Sequence, residues 1–225
     1  MDETRSIVEE MQAYYARRAP WYDESMGYTD PTVVQRLAPV MDFLRRRLGG
    51  RAVLELACGP GFWTRALADA AISIAAFDYN ASTIAEARRK ALDSRKVSLL
   101  VGDAYRLPFA DGHFDGAFGI DWLAHVPRSR QMDFFAGLNR TLRPGACVLF
   151  CDQLPGPESM TGVYDNDGNH LQERTLRDGS TYRVIKHFPT HEEFLTLFSP
   201  YASDIVVESF PDCRRVVAGY TLRAP

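Results

Sequence analysis

Three groups of residues with chemical capacity stand at the ends of apolar runs. The first, Glu55-Leu56-Ala57-Cys58-Gly59-Pro60-Gly61, closes a run at 52–57 and opens into a helix-like segment. Glycines at such a junction let backbone approach a ligand closely, and a helix start offers unpaired N–H groups. The second is Asp78, seventeen residues beyond Gly61 and at the end of a run at 72–77. In a doubly wound sheet this carboxylate stands beside the glycine loop, where it can accept hydrogen bonds from both hydroxyls of a ribose. A turn or helix-capping aspartate is its plainer role, given Asn80 and Ser82. The third is Asp103, after 97–101, within Gly102-Asp103-Ala104-Tyr105-Arg106-Leu107-Pro108-Phe109. A carboxylate there can accept from the exocyclic amine of adenine. A dinucleotide fingerprint would place glycine at position 64, which is Thr64, so the spacing points to a nucleotide loop other than an NAD site.

Holding these residues requires strands that alternate with helices. The runs 52–57, 72–77, 97–101, 114–120 and 146–151 read as buried strands, with helical segments at 62–70, 82–92 and 130–142 between them. That alternation predicts an α/β, doubly wound fold with a parallel sheet covered by helices on both faces. Ahead of it, 5–18 carries helical spacing broken by Pro20. Asp30-Pro31 and Gly49-Gly50 then frame a second helix. Behind it, 171–176 and 181–187 flank the hairpin signal Arg177-Asp178-Gly179-Ser180. Thr190 caps a short helix, and 205–210 with 214–222 form a closing antiparallel pair. The hairpin belongs to neither repeat and is expected to wall or cover a substrate pocket. The chain reads as one domain: a helical cap at 1–48, a cofactor-binding core at 50–152, a substrate-side insertion at 153–190 and a closing helix and strand pair at 191–225.

Composition narrows the partners. Lys and Arg number 26 against 29 Asp and Glu, a net charge of −3 without the basic stripe of a nucleic-acid surface. No apolar run approaches the roughly 20 residues that span a bilayer, and the acidic N-terminus lacks signal-peptide character. No nucleic acid, no membrane and a cytoplasmic location are therefore expected. Cys58, Cys147, Cys151 and Cys213 show neither CxxC nor zinc-like spacing with histidine, so they read as small buried side chains.

In order along the chain, the glycine loop, Asp78, Asp103 with Leu107-Pro108-Phe109, Phe114-Asp115 and Leu142-Arg143-Pro144-Gly145 resemble the class I S-adenosylmethionine-dependent methyltransferases. The resemblance is strongest to their small-molecule branch, which includes quinone-biosynthesis methyltransferases. It implies a Rossmann-like seven-stranded sheet, mostly parallel with the last strand antiparallel, S-adenosyl-L-methionine as cofactor and a small-molecule acceptor. It also implies roles. Glu55 would neighbour the methionine moiety, with Ala57, Gly59 and Gly61 as the loop around it. Asp78 would hold the ribose, Tyr79 would lie against adenine, and Asp103 and Ala104 would face the adenine edge. Ile120 and Asp121 would line the cofactor and the mouth of the acceptor site. Ala57 stands where the family usually has glycine. The aromatic segment 14–23 resembles the part that closes over the cofactor, with Tyr14 and Tyr22 as contacts; such rings suit either a pocket cover or a core.

Methyl transfer from a sulfonium needs chiefly alignment and exclusion of water, and a base only when the acceptor's proton must leave early. His125, in Asp121-Trp122-Leu123-Ala124-His125-Val126-Pro127, is the candidate catalytic base, with a loop-capping role as the alternative. His170, His187 and His191 are weaker candidates, and His113 reads as exposed. Asp121 and Asp152 end neighbouring strands, but two carboxylates are few for Mg²⁺, so no metal is expected. The expected activity is methyl transfer to an O or N atom of a small molecule. The competing readings are a non-catalytic S-adenosylmethionine or S-adenosylhomocysteine binder and a methyltransferase acting on protein or nucleic acid.

Overall fold

The computed structural model describes residues 3–224. Its elements, in chain order, are α1 (Glu3–Arg18), α2 (Tyr22–Ser25), α3 (Pro31–Leu48), β1 (Ala52–Leu56), α4 (Phe62–Ala68), β2 (Ser73–Asp78), α5 (Ala81–Arg88), β3 (Val97–Val101), β4 (Phe114–Ile120), α6 (Gln131–Arg140), β5 (Leu142–Gln153), β6 (Leu171–Thr175), β7 (Thr181–Ile185), α7 (His191–Phe198), β8 (Ala202–Phe210) and β9 (Arg215–Leu222). Seven strands form one sheet in the order β3-β2-β1-β4-β5-β9-β8. The first five are parallel, and the last strand, β9, runs antiparallel between β5 and β8. This is the Rossmann-like architecture expected from the sequence.

The apolar runs follow from burial on both sides of the sheet. On one face Val53, Ile74, Phe118 and Leu149 pack with Leu37, Leu44 and Leu48 of α3, Trp63 and Leu67 of α4 and Ile84 of α5. On the other, Leu54, Leu56, Phe150 and Tyr220 pack with Phe134, Phe135 and Leu138 of α6 and Phe194 and Phe198 of α7. Helix starts follow their side chains. Asp30 Oδ1 accepts the Thr32 N–H at 2.8 Å ahead of Pro31. Thr190 and Glu193 form a reciprocal cap on α7, with bonds of 3.2 and 2.7 Å.

Three boundaries differ from the sequence reading by three residues or more, among them the start of β8 at Ala202 rather than 205. Helix α5 stops at Arg88 rather than 92, and Ala91 takes a left-handed backbone with φ +50°. Strand β5 starts at Leu142 rather than 146 and runs twelve residues.

The hairpin β6–β7 pairs Leu171 with Ile185 through Thr175 with Thr181, and it does not cover the sheet. Leu171, Leu176, Val184 and Ile185 pack instead with Ile7, Met11 and Tyr14 of α1, forming a small separate core. Around that core Glu10 accepts the Arg183 N–H at 3.0 Å, and Arg17 pairs with Asp178. The N-terminal segment is also tied to the sheet domain: Ser82 Oγ donates to the Ala16 carbonyl of α1 at 3.0 Å, and Lys90 pairs with Asp23 of α2.

Candidate functional site

A cavity opens at the carboxyl ends of β1 to β4, with α1 across its top. β1 sits between β2 and β4, so chain crossovers leave it in opposite directions, and a crevice forms where such sheets hold ligands. Its walls bring together most of the residues singled out in the sequence. Ala57 and Gly59 come from the loop after β1, and Asp78 and Tyr79 from the end of β2. Asp103 and Ala104 follow β3, Ile120, Asp121 and His125 lie at and after the end of β4, and Tyr22 opens α2.

The glycine loop keeps the backbone that its sequence suggests. Ala57 has φ +50° and Gly59 +54°. Alanine therefore holds the left-handed conformation that glycine adopts freely, at a cost of about 1–2 kcal/mol. Gly61 lies below the cavity wall as the N-cap of α4, where an added Cβ would sit 3.2 Å from the Ala87 Cβ.

Asp78 fixes this loop. Its Oδ2 accepts the Gly59 N–H at 3.0 Å, and its Oδ1 accepts the Asn80 N–H at 2.8 Å and the Thr83 hydroxyl at 2.7 Å. Burial pushes its carboxyl up, against the pull of these three bonds. The turn role and a place on the ligand cavity thus coincide in one residue. Asp103 holds its own turn in the same way, with Oδ1 accepting the Tyr105 N–H at 2.9 Å.

Glu55 opens onto a smaller space that shares Tyr22, Ala57, Gly59, Ile120 and Asp121 with the main cavity. Asp23 also lines it. Asp23, Glu55 and Asp121 each keep one carboxylate oxygen without a hydrogen-bond partner among the described residues. Three such oxygens around one small space suit a cationic ligand, and the sulfonium and ammonium of S-adenosylmethionine have that character. Burial pushes the Glu55 carboxyl up to about 8.

The two tyrosines of α1 part company. Tyr14, expected at the cofactor, is buried outside the cavity, with its ring 5.9 Å from that of Tyr182. Tyr15 lines the cavity with Val8, Met11 and Gln12. Neighbouring residues on a helix point about 100° apart, so α1 carries two stripes: 7/11/14 toward the hairpin and 8/12/15 toward the sheet. That spacing was the signal for Tyr15.

His125 lines the cavity with both ring nitrogens in hydrogen bonds. Its Nδ1 faces the Ile185 carbonyl at 2.5 Å and must donate there, which leaves Nε2 to accept the Tyr15 hydroxyl at 2.9 Å. Burial first, then the charge of Lys186, push the ring down to about 3. In this geometry the neutral imidazole has both ring nitrogens engaged and holds the Tyr15 hydroxyl. Exchange of Tyr15 for Phe is expected to weaken S-adenosylhomocysteine binding roughly ten-fold, because α1 loses its bond to the loop after β4. Tyr14→Phe should leave affinity within about two-fold, since that ring packs outside the cavity. Calorimetric titration of both variants reads the difference.

Behind the cavity lies an ionic cluster that no local pattern announces. Asp121, with φ +53°, turns its carboxylate onto Arg215 at 2.5 Å, and Lys186 lies 4.0 Å from the same oxygen. Burial would raise the Asp121 carboxyl, but Arg215 and Lys186 together hold it below its usual range. Asp152 is 2% exposed, and burial pushes it up to about 6.

Comparison with known proteins gives a consistent result. A family model described as "Methyltransferase domain" matches residues 53–145. The ubiquinone/menaquinone biosynthesis C-methyltransferase UbiE of Dinoroseobacter shibae is 32% identical over 203 residues, covering 83% of this chain and 73% of that protein. The O-methyltransferase resE of Aspergillus sclerotiorum is 26% identical over 201 residues, covering 82% and 75%. Three further curated relatives match over only half to three-fifths of their own length. Among solved structures, the complex of DhpI with S-adenosylhomocysteine superposes with a TM-score of 0.78 at 27% identity, covering 97% of this chain and 98% of that one.

Proposed function

The chain belongs to the S-adenosylmethionine-dependent methyltransferases, and on that footing we propose that it methylates an oxygen or nitrogen atom of a small molecule by alignment, without a general base. The observation that carries this reading is the cavity under α1, which continues past Asp121 to Tyr15, Trp122 and His125. Bound there, S-adenosylmethionine supplies a methyl group already activated on a sulfonium.

The chain's own residues do the holding. Asp78 takes the ribose hydroxyls, while Tyr79, Asp103 and Ala104 take adenine. Glu55, Ala57 and Gly59 surround the methionine end, and Ile120 and Asp121 separate donor from acceptor. Tyr15 and Tyr22 close the top and exclude water. A space that reaches beyond the nucleotide residues supports turnover over a purely binding role. The four unpaired cysteines, Cys58, Cys147, Cys151 and Cys213, support a reducing, cytoplasmic setting.

Titration with S-adenosylmethionine and S-adenosylhomocysteine tests this reading, and folded protein that binds neither ligand would overturn it. The titration carries a second readout. Glu55 keeps its proton up to about pH 8. An arriving cation favours the ionised form, so binding at pH 7 is expected to release close to one proton. Calorimetry in buffers of different ionisation enthalpy should show that release in the native chain and not in Glu55→Gln. Affinity should correspondingly rise as pH increases toward 8.

A further inference from the structure

Resting on that reading, we propose that the acceptor is an uncharged, flat heteroaromatic ring, methylated on a ring nitrogen, with Gln12 as the residue that reads its polar substituent.

Among the described residues, the wall of the main cavity holds no lysine or arginine, and its charged members are three aspartates, Asp78, Asp103 and Asp121. Arg130 stacks on Tyr105, 3.5 Å from the ring centroid, but it lines a neighbouring groove and not this cavity. An anionic acceptor would leave water for a wall that carries only its own sign of charge, and such a transfer is costly.

Beyond the residues assigned to the cofactor, Val8, Met11, Tyr15, Trp122 and Pro127 make the wall apolar and largely aromatic. Its rings are held in place. Trp122 lies edge-on to Phe134 at 5.9 Å and to Tyr105 at 6.3 Å, and Tyr15 edge-on to His125 at 5.4 Å. Fixed rings beside an adaptable methionine suit a flat, apolar partner.

Few polar groups here are free to read that partner. His125 has both ring nitrogens engaged, and Tyr15 gives its proton to His125. Gln12 is half-buried, one helical turn from Val8 and Tyr15, and its side chain bonds no other described residue. Its amide offers two donors and an acceptor, and so matches a substituent such as a carboxamide.

Reactivity then selects the atom. A hydroxyl acceptor calls for a base, and His125 is occupied. Against the effect of burial, Arg215 and Lys186 hold the Asp121 carboxyl below its usual range, which makes it a poor proton acceptor. An aliphatic amine is protonated at neutral pH and has no lone pair to give. A weakly basic ring nitrogen has its lone pair free. That pair forms the N–CH₃ bond as the S–CH₃ bond breaks, and the bonding pair goes to sulfur. The products are an N-methylated cation and S-adenosylhomocysteine, and no proton leaves. Positive charge passes from sulfur to the ring, within a wall whose charged residues are all negative.

The test titrates protein saturated with S-adenosylhomocysteine against four probes of similar shape: nicotinamide, benzamide, 3-hydroxybenzamide and nicotinate. The three amides are expected to bind, and nicotinate at least about 10-fold more weakly because of its charge. With S-adenosylmethionine, nicotinamide alone should turn over, and mass spectrometry identifies its N-methyl cation. At saturating S-adenosylmethionine that rate should be level between about pH 6 and 9, whereas an unassisted hydroxyl acceptor gains about ten-fold per pH unit. Gln12→Leu should weaken nicotinamide and benzamide roughly 10-fold, with S-adenosylhomocysteine affinity, the folding control, kept within about three-fold. If S-adenosylhomocysteine binds but nicotinamide is not both bound and methylated, the proposal is overturned. Preference for nicotinate, faster methylation of 3-hydroxybenzamide, or nicotinamide binding unchanged in Gln12→Leu overturns it too. Failure of the native chain to bind S-adenosylhomocysteine would count instead against the methyltransferase reading beneath it.

Discussion

Asp78→Ala is expected to lower affinity for S-adenosylmethionine and S-adenosylhomocysteine by at least about 100-fold, since two hydrogen bonds to a charged acceptor carry about 1.5–3 kcal/mol each. The effect has two sources. The ribose hydroxyls lose their acceptor, and the site loses its shape. With the carboxylate gone, the Gly59 N–H, the Asn80 N–H and the Thr83 hydroxyl lose the bonds that set the loop after β1 against the end of β2. Asp78→Asn separates the two contributions, because the amide keeps one oxygen for the loop but places a donor where the other carboxylate oxygen stood. An intermediate loss in Asn is expected, with stability closer to native than in Ala. Calorimetry gives the affinities and urea unfolding the stability. Affinity unchanged in Asp78→Ala would remove ribose binding from this residue.

The second large effect concerns stability. Arg215→Met is expected to cost about 3–5 kcal/mol, because it leaves the Asp121 carboxylate buried without its close partner. Lys186, at 4.0 Å, can recover part of this, which places the expected loss at the lower end. The double variant Asp121→Asn, Arg215→Met should recover much of the deficit, because it removes both charges at once. Asparagine is the appropriate replacement, since Asp121 has φ +53° and asparagine tolerates that left-handed backbone. Urea denaturation of the two single variants and the double variant gives the coupling energy directly. A double variant no more stable than Arg215→Met would show that the pair contributes through shape rather than charge.

The half of the cavity built from strand ends was legible in the sequence because it is local. Gly59, Asp78 and Asp103 each stand within a few residues of a strand end, and in a parallel sheet all those ends lie on one edge. The buried strands were equally plain, since cover on both faces makes them continuous apolar runs. The rest depends on contacts distant in the chain. The bond between Tyr15 and His125 joins residues 110 positions apart, and that between Arg215 and Asp121 joins residues 94 apart. Nothing in the local spacing of Asp121 says that an arginine at the start of β9 will meet it. The partner of the hairpin was hidden for a related reason. Its alternation showed that it has an apolar face, but not that the face would seek α1 rather than the sheet. Ala57 is the converse case: a departure from the expected glycine that left the fold of the loop intact.

The packing of α1 against β6 and β7 bears on how such a chain can diversify. Ile7, Met11 and Tyr14 meet Leu171, Leu176, Val184 and Ile185 in a core of their own, while His125 leans on the carbonyl of Ile185. The N-terminal helix and the hairpin are thus a single packed unit, though most of the chain separates them. A hairpin grafted alone from a relative would meet a mismatched helix, and the Tyr15–His125 bond would go with it. A change in the packing face of one piece is therefore expected to require a matching change in the other, while the sheet stays as it is.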